Sequence, residues 1–240
     1  MLKVKALKVR YGDIVAVNEL TFEAAGEVYC LLGPNGAGKT STVKAIMDAV
    51  PYEGKVEVYG VDGRDPRVKD LIGYVPEQVS FFEYMKPKEI IEFMAAMRGL
   101  RDLTTAQKLL EAFNLSQVDQ PLYTLSMGTR QKVAIVLALM HSPKLLILDE
   151  AFNGLDVFSA KLLKEIVIGQ IRSGGTVLFS THVMELAEKM CSRIGIINKG
   201  MLVTETTPNA LRSQGESLED FFLSTTGLEE SLKEVLKGLE

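Results

Sequence analysis

The sequence predicts an α/β fold with a core parallel sheet, an N-terminal antiparallel β subdomain and an inserted α-helical subdomain. Three observations predict it. Short, largely apolar runs at residues 28–32, 144–148 and 176–180 stand between longer helical periods, the pattern of strands covered on both faces. Residues 2–10 and 14–23 are rich in β-branched side chains and are parted by Tyr11-Gly12-Asp13, which reads as a hairpin or a pair of neighbouring strands. From about 79 to 123 strand signals vanish and helical periods appear at 87–97, with Pro87 suited to the first helical position, and at 104–113.

The stretch Gly33-Pro34-Asn35-Gly36-Ala37-Gly38-Lys39-Thr40 follows the first apolar strand and leads into a helical run over 40–50. A glycine, four residues and then Gly-Lys-Thr, between a strand and a helix, is the form of a P-loop. The glycines let successive backbone N–H groups turn inward, and the helix that starts there adds the positive end of its dipole, so a triphosphate is drawn to the nest. Lys39 is expected to place a cation on the β and γ phosphates, and the Thr40 hydroxyl to ligate Mg²⁺. The bound molecule is therefore expected to be a nucleoside triphosphate.

Other elements follow in order. Tyr11 either covers the edge of the core or offers a ring face to a planar base. Pro51 and Gly54 make a turn before an alternating strand at 55–59, a Gly/Asp/Pro-rich loop runs to 66, and 72–75 is a short strand. The run Phe81-Phe82-Glu83-Tyr84-Met85 is apolar without clear period; it is either core for the helical insert or a docking patch for a partner. Ser126 is placed as the N-cap of a helix to about 140. The strand at 144–148 ends in Asp149-Glu150, at the end of a parallel strand where α/β sheets put their chemistry. An aspartate there can hold Mg²⁺ and a neighbouring glutamate can polarise an attacking water. A helix at 157–172 closes with Ser173-Gly174-Gly175, and Thr181-His182 leaves the 176–180 strand at the edge where Asp149 and Glu150 leave theirs. A strand pair at 193–197 and 201–206 and helices at 208–214, 218–223 and 228–239 finish the chain; the last puts Leu228, Leu232, Val235, Leu236 and Leu239 on one face.

Composition narrows the partners. With 27 Lys and Arg against 31 Asp and Glu, the net charge of −4 argues against wholesale binding to nucleic acid or an anionic membrane. Cys30 and Cys191 are too few and too isolated in the sequence for a disulfide framework or zinc site, and Cys30 reads as a small core residue. No apolar run approaches the roughly 20 residues that cross a bilayer, and residues 1–10 alternate as a strand does, not as a signal peptide would. Spans, if the protein works on a membrane, come from another chain.

Taken together, the P-loop, helical insert, Leu-Ser-x-Gly, apolar strand with Asp-Glu, Gly-Leu-Asp and Ser-Thr-His, in that order, resemble the ATP-binding subunit of an ABC transporter over residues 2–226. The resemblance implies a P-loop NTPase core, with the ATPase domain at 1–226 and its helical subdomain at about 79–142; the amphipathic helix expected at 227–240 lies beyond it. It implies that Tyr11 stacks on adenine and that Gly33, Asn35, Gly36, Gly38, Lys39 and Thr40 belong to Walker A, with Ser41 just behind it at the nucleotide. By the same resemblance Asp149 closes Walker B, Glu150 is the catalytic glutamate, residues 153–156, with Asp156, form the D-loop, and His182 senses the γ-phosphate. Ser126 and Gly128 match the signature, which in this family faces the P-loop of a second nucleotide-binding subunit, identical or not. ATP, Mg²⁺, a separate transmembrane permease and a place on the cytoplasmic face of the membrane are implied with it.

Two positions depart from the family pattern. Met127 and Thr129 stand where the signature usually has glycine and glutamine, while Ser126 and Gly128, which approach phosphate, are kept. In Tyr74-Val75-Pro76-Glu77-Gln78 the family's Q-loop glutamine would follow the proline directly; Glu77 holds that place and Gln78 comes one later, and either can reach the Mg²⁺ and water. The Leu-Glu-Asp-Phe-Phe-Leu run at 218–223 resembles ATPases of the ABC-2 export type. The rival reading is a soluble ABC-type ATPase acting on nucleic acid or the ribosome, for which paired cassettes, long insertions or a basic face are expected.

Overall fold

The computed structural model describes residues 1–79, 82–115 and 119–229. Phe81 and the part of the 228–239 helix beyond position 229 lie outside the described residues. Two sheets carry the fold. Strands β1 (Leu2–Tyr11), β2 (Ile14–Ala24), β4 (Glu53–Val58) and β5 (Val61–Asp62) form a four-stranded sheet in the order β2-β1-β4-β5, antiparallel at every pairing. The second sheet has six strands, in the order β10-β9-β3-β8-β7-β6, from β3 (Val28–Leu32), β6 (Ile72–Val75), β7 (Leu145–Asp149), β8 (Thr176–Thr181), β9 (Arg193–Asn198) and β10 (Met201–Thr206). Its strands run parallel except β10, which pairs antiparallel with β9.

Every residue of β3, β7 and β8 is buried, because both faces of the parallel sheet are covered. Along β3, Val28, Cys30 and Leu32 enter a core shared with the helices, while Tyr29 and Leu31 face a second core shared with β1, β2 and α1 (Lys39–Ile46). The Tyr29 ring stacks on Phe22 of β2 at 4.9 Å, and its hydroxyl donates to Glu205 at 2.7 Å, so the one polar atom of a buried ring keeps a partner.

The helical segment holds α2 (Pro87–Met97), α3 (Thr104–Ala112) and α4 (Met127–Leu139). Ser126 caps α4 by accepting from the Thr129 N–H at 3.2 Å. Residues 131 and 133–139 of α4 are all buried, since the helix lies between the rest of the insert and the sheet. The remaining helices are α5 (Val157–Arg172), α6 (Met184–Met190), α7 (Pro208–Gln214) and α8 (Leu218–Thr226).

The structure corrects several boundaries. The helix expected over 40–50 ends at Ile46, because Asp48 takes a left-handed φ of 51° and the chain turns back there. The loop expected to run to 66 gives way to a 3₁₀ turn, Pro66–Leu71, capped by Asp65 accepting from the Arg67 N–H at 2.9 Å. Helix α6 was not expected; no side chain caps it, and it is short.

Gly73 fixes how closely α4 approaches β6. A Cβ there would lie 2.2 Å from the Ala138 carbonyl oxygen and 2.7 Å from Pro143 Cγ. Backbone cannot yield as a flexible side chain would, so Gly73→Ala is expected to cost about 1–3 kcal/mol through overpacking. Urea unfolding of that variant measures it, and an unchanged midpoint would refute the close approach.

Candidate functional site

The loop between β3 and α1 wraps a cleft of about 450 Å³ lined by Tyr11, Ala16, Asn35, Gly36, Gly38, Lys39, Thr40, Ser41, Glu77 and Glu150. The fold of the loop depends on Gly38, whose φ of 105° suits only glycine and where a Cβ would sit 2.5 Å from the Ala16 carbonyl oxygen. That contact pins the loop to β2 of the antiparallel sheet. Lys39, 6% exposed, bends back so that Nζ donates to the carbonyl oxygens of Gly33 at 2.7 Å and Pro34 at 3.1 Å. Burial lowers the pKa of this ammonium, while Glu150, Asp149 and Glu77 pull it back up. A cation kept partly dehydrated near three carboxylates is poised to exchange carbonyl partners for phosphate oxygens.

The acids enter from β7. Asp149 pairs with Ser180 in the β7–β8 register, and its Oδ1 accepts from the Ser180 hydroxyl and, at 3.4 Å, from the Thr40 hydroxyl. Its Oδ2 is buried with no hydrogen-bond partner. Desolvation raises the Asp149 pKa most; the Ser180 and Thr40 hydrogen bonds oppose it, and Glu77 and Glu150 add to it. A buried, unpartnered carboxylate oxygen beside a threonine hydroxyl is the donor set of a hard divalent cation. Among the described residues no group of three or more His, Cys, Asp or Glu could hold a metal. Such a cation would therefore take its other ligands from phosphate and water, as Mg²⁺ commonly does.

Glu150 sits at the turn after the strand with φ 49°, a left-handed conformation uncommon for a glutamate, and its N–H donates to the Ser180 carbonyl at 3.0 Å. Its carboxylate is held from three sides. Oε1 lies 2.8 Å from His182 Nδ1 and 3.8 Å from Lys39 Nζ, and Oε2 accepts from the Thr181 hydroxyl at 3.3 Å. His182 is about half exposed while Glu150 is buried, so the imidazole lies between the acid and solvent.

The structure thus brings Tyr11, the P-loop residues, Asp149, Glu150 and His182 together. Tyr11 is 43% exposed at the mouth of the cleft, as a stacking residue must be. Of the two Q-loop candidates, Glu77 lines the cleft; both line an adjacent groove with Met127, Arg130 and Gln131. Ser126, Gly128 and Asp156 line neither. Asp156 caps α5 by accepting from the Ser159 N–H at 2.9 Å, and it pairs with Lys132 of α4 at 2.6 Å. Sequence reasoning assigned no role to Ser180, Thr181 or Gln131. The first two precede His182 in the Ser-Thr-His run, the signal that could have found them; Gln131 carries none beyond being a polar residue on a buried helix face.

Comparison with known proteins agrees with this geometry. Residues 17–153 match the family described as ABC transporter. An uncharacterized ABC transporter ATP-binding protein of Methanocaldococcus jannaschii is 34% identical over 208 residues, 84% of this chain and 76% of that protein. The linearmycin resistance ATP-binding protein of Bacillus subtilis is 33% identical over 247 residues, covering 100% of this chain and 79% of its own length. A solved structure described as the ATP-binding subunit of an ABC transporter superposes with a TM-score of 0.86 at 30% identity, over 94% of this chain and 99% of that one. The chain therefore belongs to the ABC transporter family, as an ATP-binding and ATP-hydrolysing subunit.

Proposed function

We propose that this chain is the motor of an exporter, standing at the cytoplasmic face of a membrane beneath a separate transmembrane permease. It works as a dimer with a second nucleotide-binding subunit and closes on ATP. One observation carries the reading: Lys39, Thr40 and Glu150 line one cleft, with Asp149 hydrogen-bonded to Thr40 and His182 to Glu150 behind them, whereas Ser126 and Gly128 neither line it nor bond to those groups. A phosphoryl-transfer transition state needs donors on every side, so the missing side is supplied by the Ser126 end of a partner's α4. Among the described residues no helix is long and apolar enough to cross a membrane. Export is supported by the name of the linearmycin resistance relative. No nucleic-acid partner is proposed.

The roles follow from the contacts. Tyr11 stacks on adenine; Gly33, Asn35, Gly36, Gly38 and Ser41 shape and line the phosphate nest, and Lys39 meets the β and γ phosphates. Thr40 and Asp149 would hold Mg²⁺, which would supply charge neutralisation at the phosphates, and of the Q-loop pair Glu77, which lines the cleft, is better placed than Gln78 to reach it. Glu150 takes a proton from the attacking water, oriented by His182 and Thr181. Residues 1–226 constitute the ATPase domain, with about 79–142 its helical subdomain. The permease docks on the aromatic face of that subdomain. There Phe82 and Phe93 meet edge to face at 5.1 Å, Tyr84 and Tyr123 tilt together at 5.7 Å, and Tyr84 is 85% exposed.

Glu150→Gln is expected to lower ATP turnover by about 10² to 10⁴-fold while ATP affinity holds, the cost of losing a general base. Steady-state hydrolysis beside equilibrium ATP binding checks this, and near-normal turnover would remove Glu150 from that role. Lys39→Ala is expected to lose ATP affinity in the same binding assay. For Asp149→Asn, a titration of turnover against Mg²⁺ is expected to move to higher concentration; an unmoved midpoint would place the cation elsewhere.

A further inference from the structure

Helices α5 and α6 enclose a second groove, of about 470 Å³, that shares no lining residue with the ATP cleft. One wall is the stripe of α5 at positions 161, 164, 165, 168, 171 and 172, spaced as one face of a helix. At about 1.5 Å per residue that stripe is roughly 16 Å long. The facing wall is the end of α6, with Met190, and the start of β3, with Val28. Ile168, 42% exposed, continues the apolar floor that Val28, Ile171 and Met190 form, so it is not an isolated surface isoleucine.

The rim has the opposite character. Lys161, Lys164, Arg172 and Lys189 line the groove against one acid, Glu165, in a chain whose net charge is −4. Glu185, outside the lining, answers two of these cations: it pairs with Lys189 at 2.6 Å and attracts Lys164. Lys161 and Arg172 have no ion-pair partner among the described residues. An apolar floor under a few charged groups, in a cavity of this volume, has the make-up of a small-molecule site. The excess of cations selects a negative head. No helix N-terminus lines the groove, and both helices end beside it, so a singly charged carboxylate suits it better than a doubly charged phosphate. The stripe is longer than a round cavity of the same volume would be wide, which favours an extended chain over a compact ring.

We propose that the groove between α5 and α6 binds a medium-chain carboxylate, its alkyl chain along Ile168, Ile171 and Met190 and its head on the cationic rim. The site does not depend on the dimeric reading above. Its occupant is a free amphiphile and neither the nucleotide nor a segment of a partner protein.

The probe is decanoate, titrated calorimetrically into the purified full chain below the micelle concentration. About one equivalent is expected to bind. Affinity is expected to rise about fourfold for each CH₂ added from hexanoate to decanoate, as the chain covers the floor. Decyltrimethylammonium, with the same chain and the opposite charge, is expected not to bind. Lys161→Gln combined with Arg172→Gln is expected to weaken decanoate binding about tenfold, since two exposed charge contacts are lost. Ile168→Asp is expected to abolish binding. Both variants are expected to keep the melting temperature and ATP turnover of wild type, and should Ile168→Asp fail to fold, the double variant decides. A wild-type chain that ignores decanoate overturns the proposal, as does binding that the double variant leaves unchanged or that the decyl cation matches.

Discussion

The structure depends on keeping one ammonium and two carboxylates out of water at the carboxyl ends of parallel strands. Lys39, Asp149 and Glu150 are all buried, and each is supported by groups that cannot move away. Lys39 is tied to two carbonyl oxygens of its own loop, Asp149 to Ser180 and Thr40, and Glu150 to Thr181 and His182. Mutual attraction at 3.8 Å between Lys39 and Glu150 offsets part of the desolvation. What it leaves unmet, above all the Asp149 oxygen without a partner, is what a triphosphate and its cation would satisfy. Binding energy is thus stored as unsatisfied charge, held in place by the sheet.

The sheet order explains why these groups meet. Strands β3, β8 and β7 are adjacent, so the loop after β3, the Ser180–His182 exit of β8 and the acids of β7 open on one edge. The antiparallel sheet holds the P-loop from the other side through Gly38 and Ala16 and brings Tyr11 to the mouth. The helical insert carries Ser126, which is not among the residues lining this cleft.

Much of this was legible in the sequence, for physical reasons. A P-loop is local: its glycines, lysine and threonine make their geometry within a dozen residues, so pattern and structure coincide. Asp149 and Glu150 were legible because a buried parallel strand announces itself as an apolar run. What stayed hidden depends on pairing across the fold. Ser180 and Thr181 acquire their partners only when β8 lies beside β7, and Gln131 only when α4 crosses the loop after Glu150. That Glu77 lines the cleft while Gln78 lines only the adjacent groove turns on how one loop bends, which spacing does not encode. Helix α6 escaped notice because no side chain caps its start, and α1 ended early through a left-handed Asp48.

The claim at the centre of this account is that one chain's cleft is completed by another subunit. The most direct measurement is the ATPase rate per chain as the purified 26.4 kDa protein is diluted, with its mass followed in parallel. The account predicts that the rate per chain falls toward zero as the dimer dissociates. A rate per chain that stays constant on dilution, from a species whose mass is that of a single chain, would contradict it.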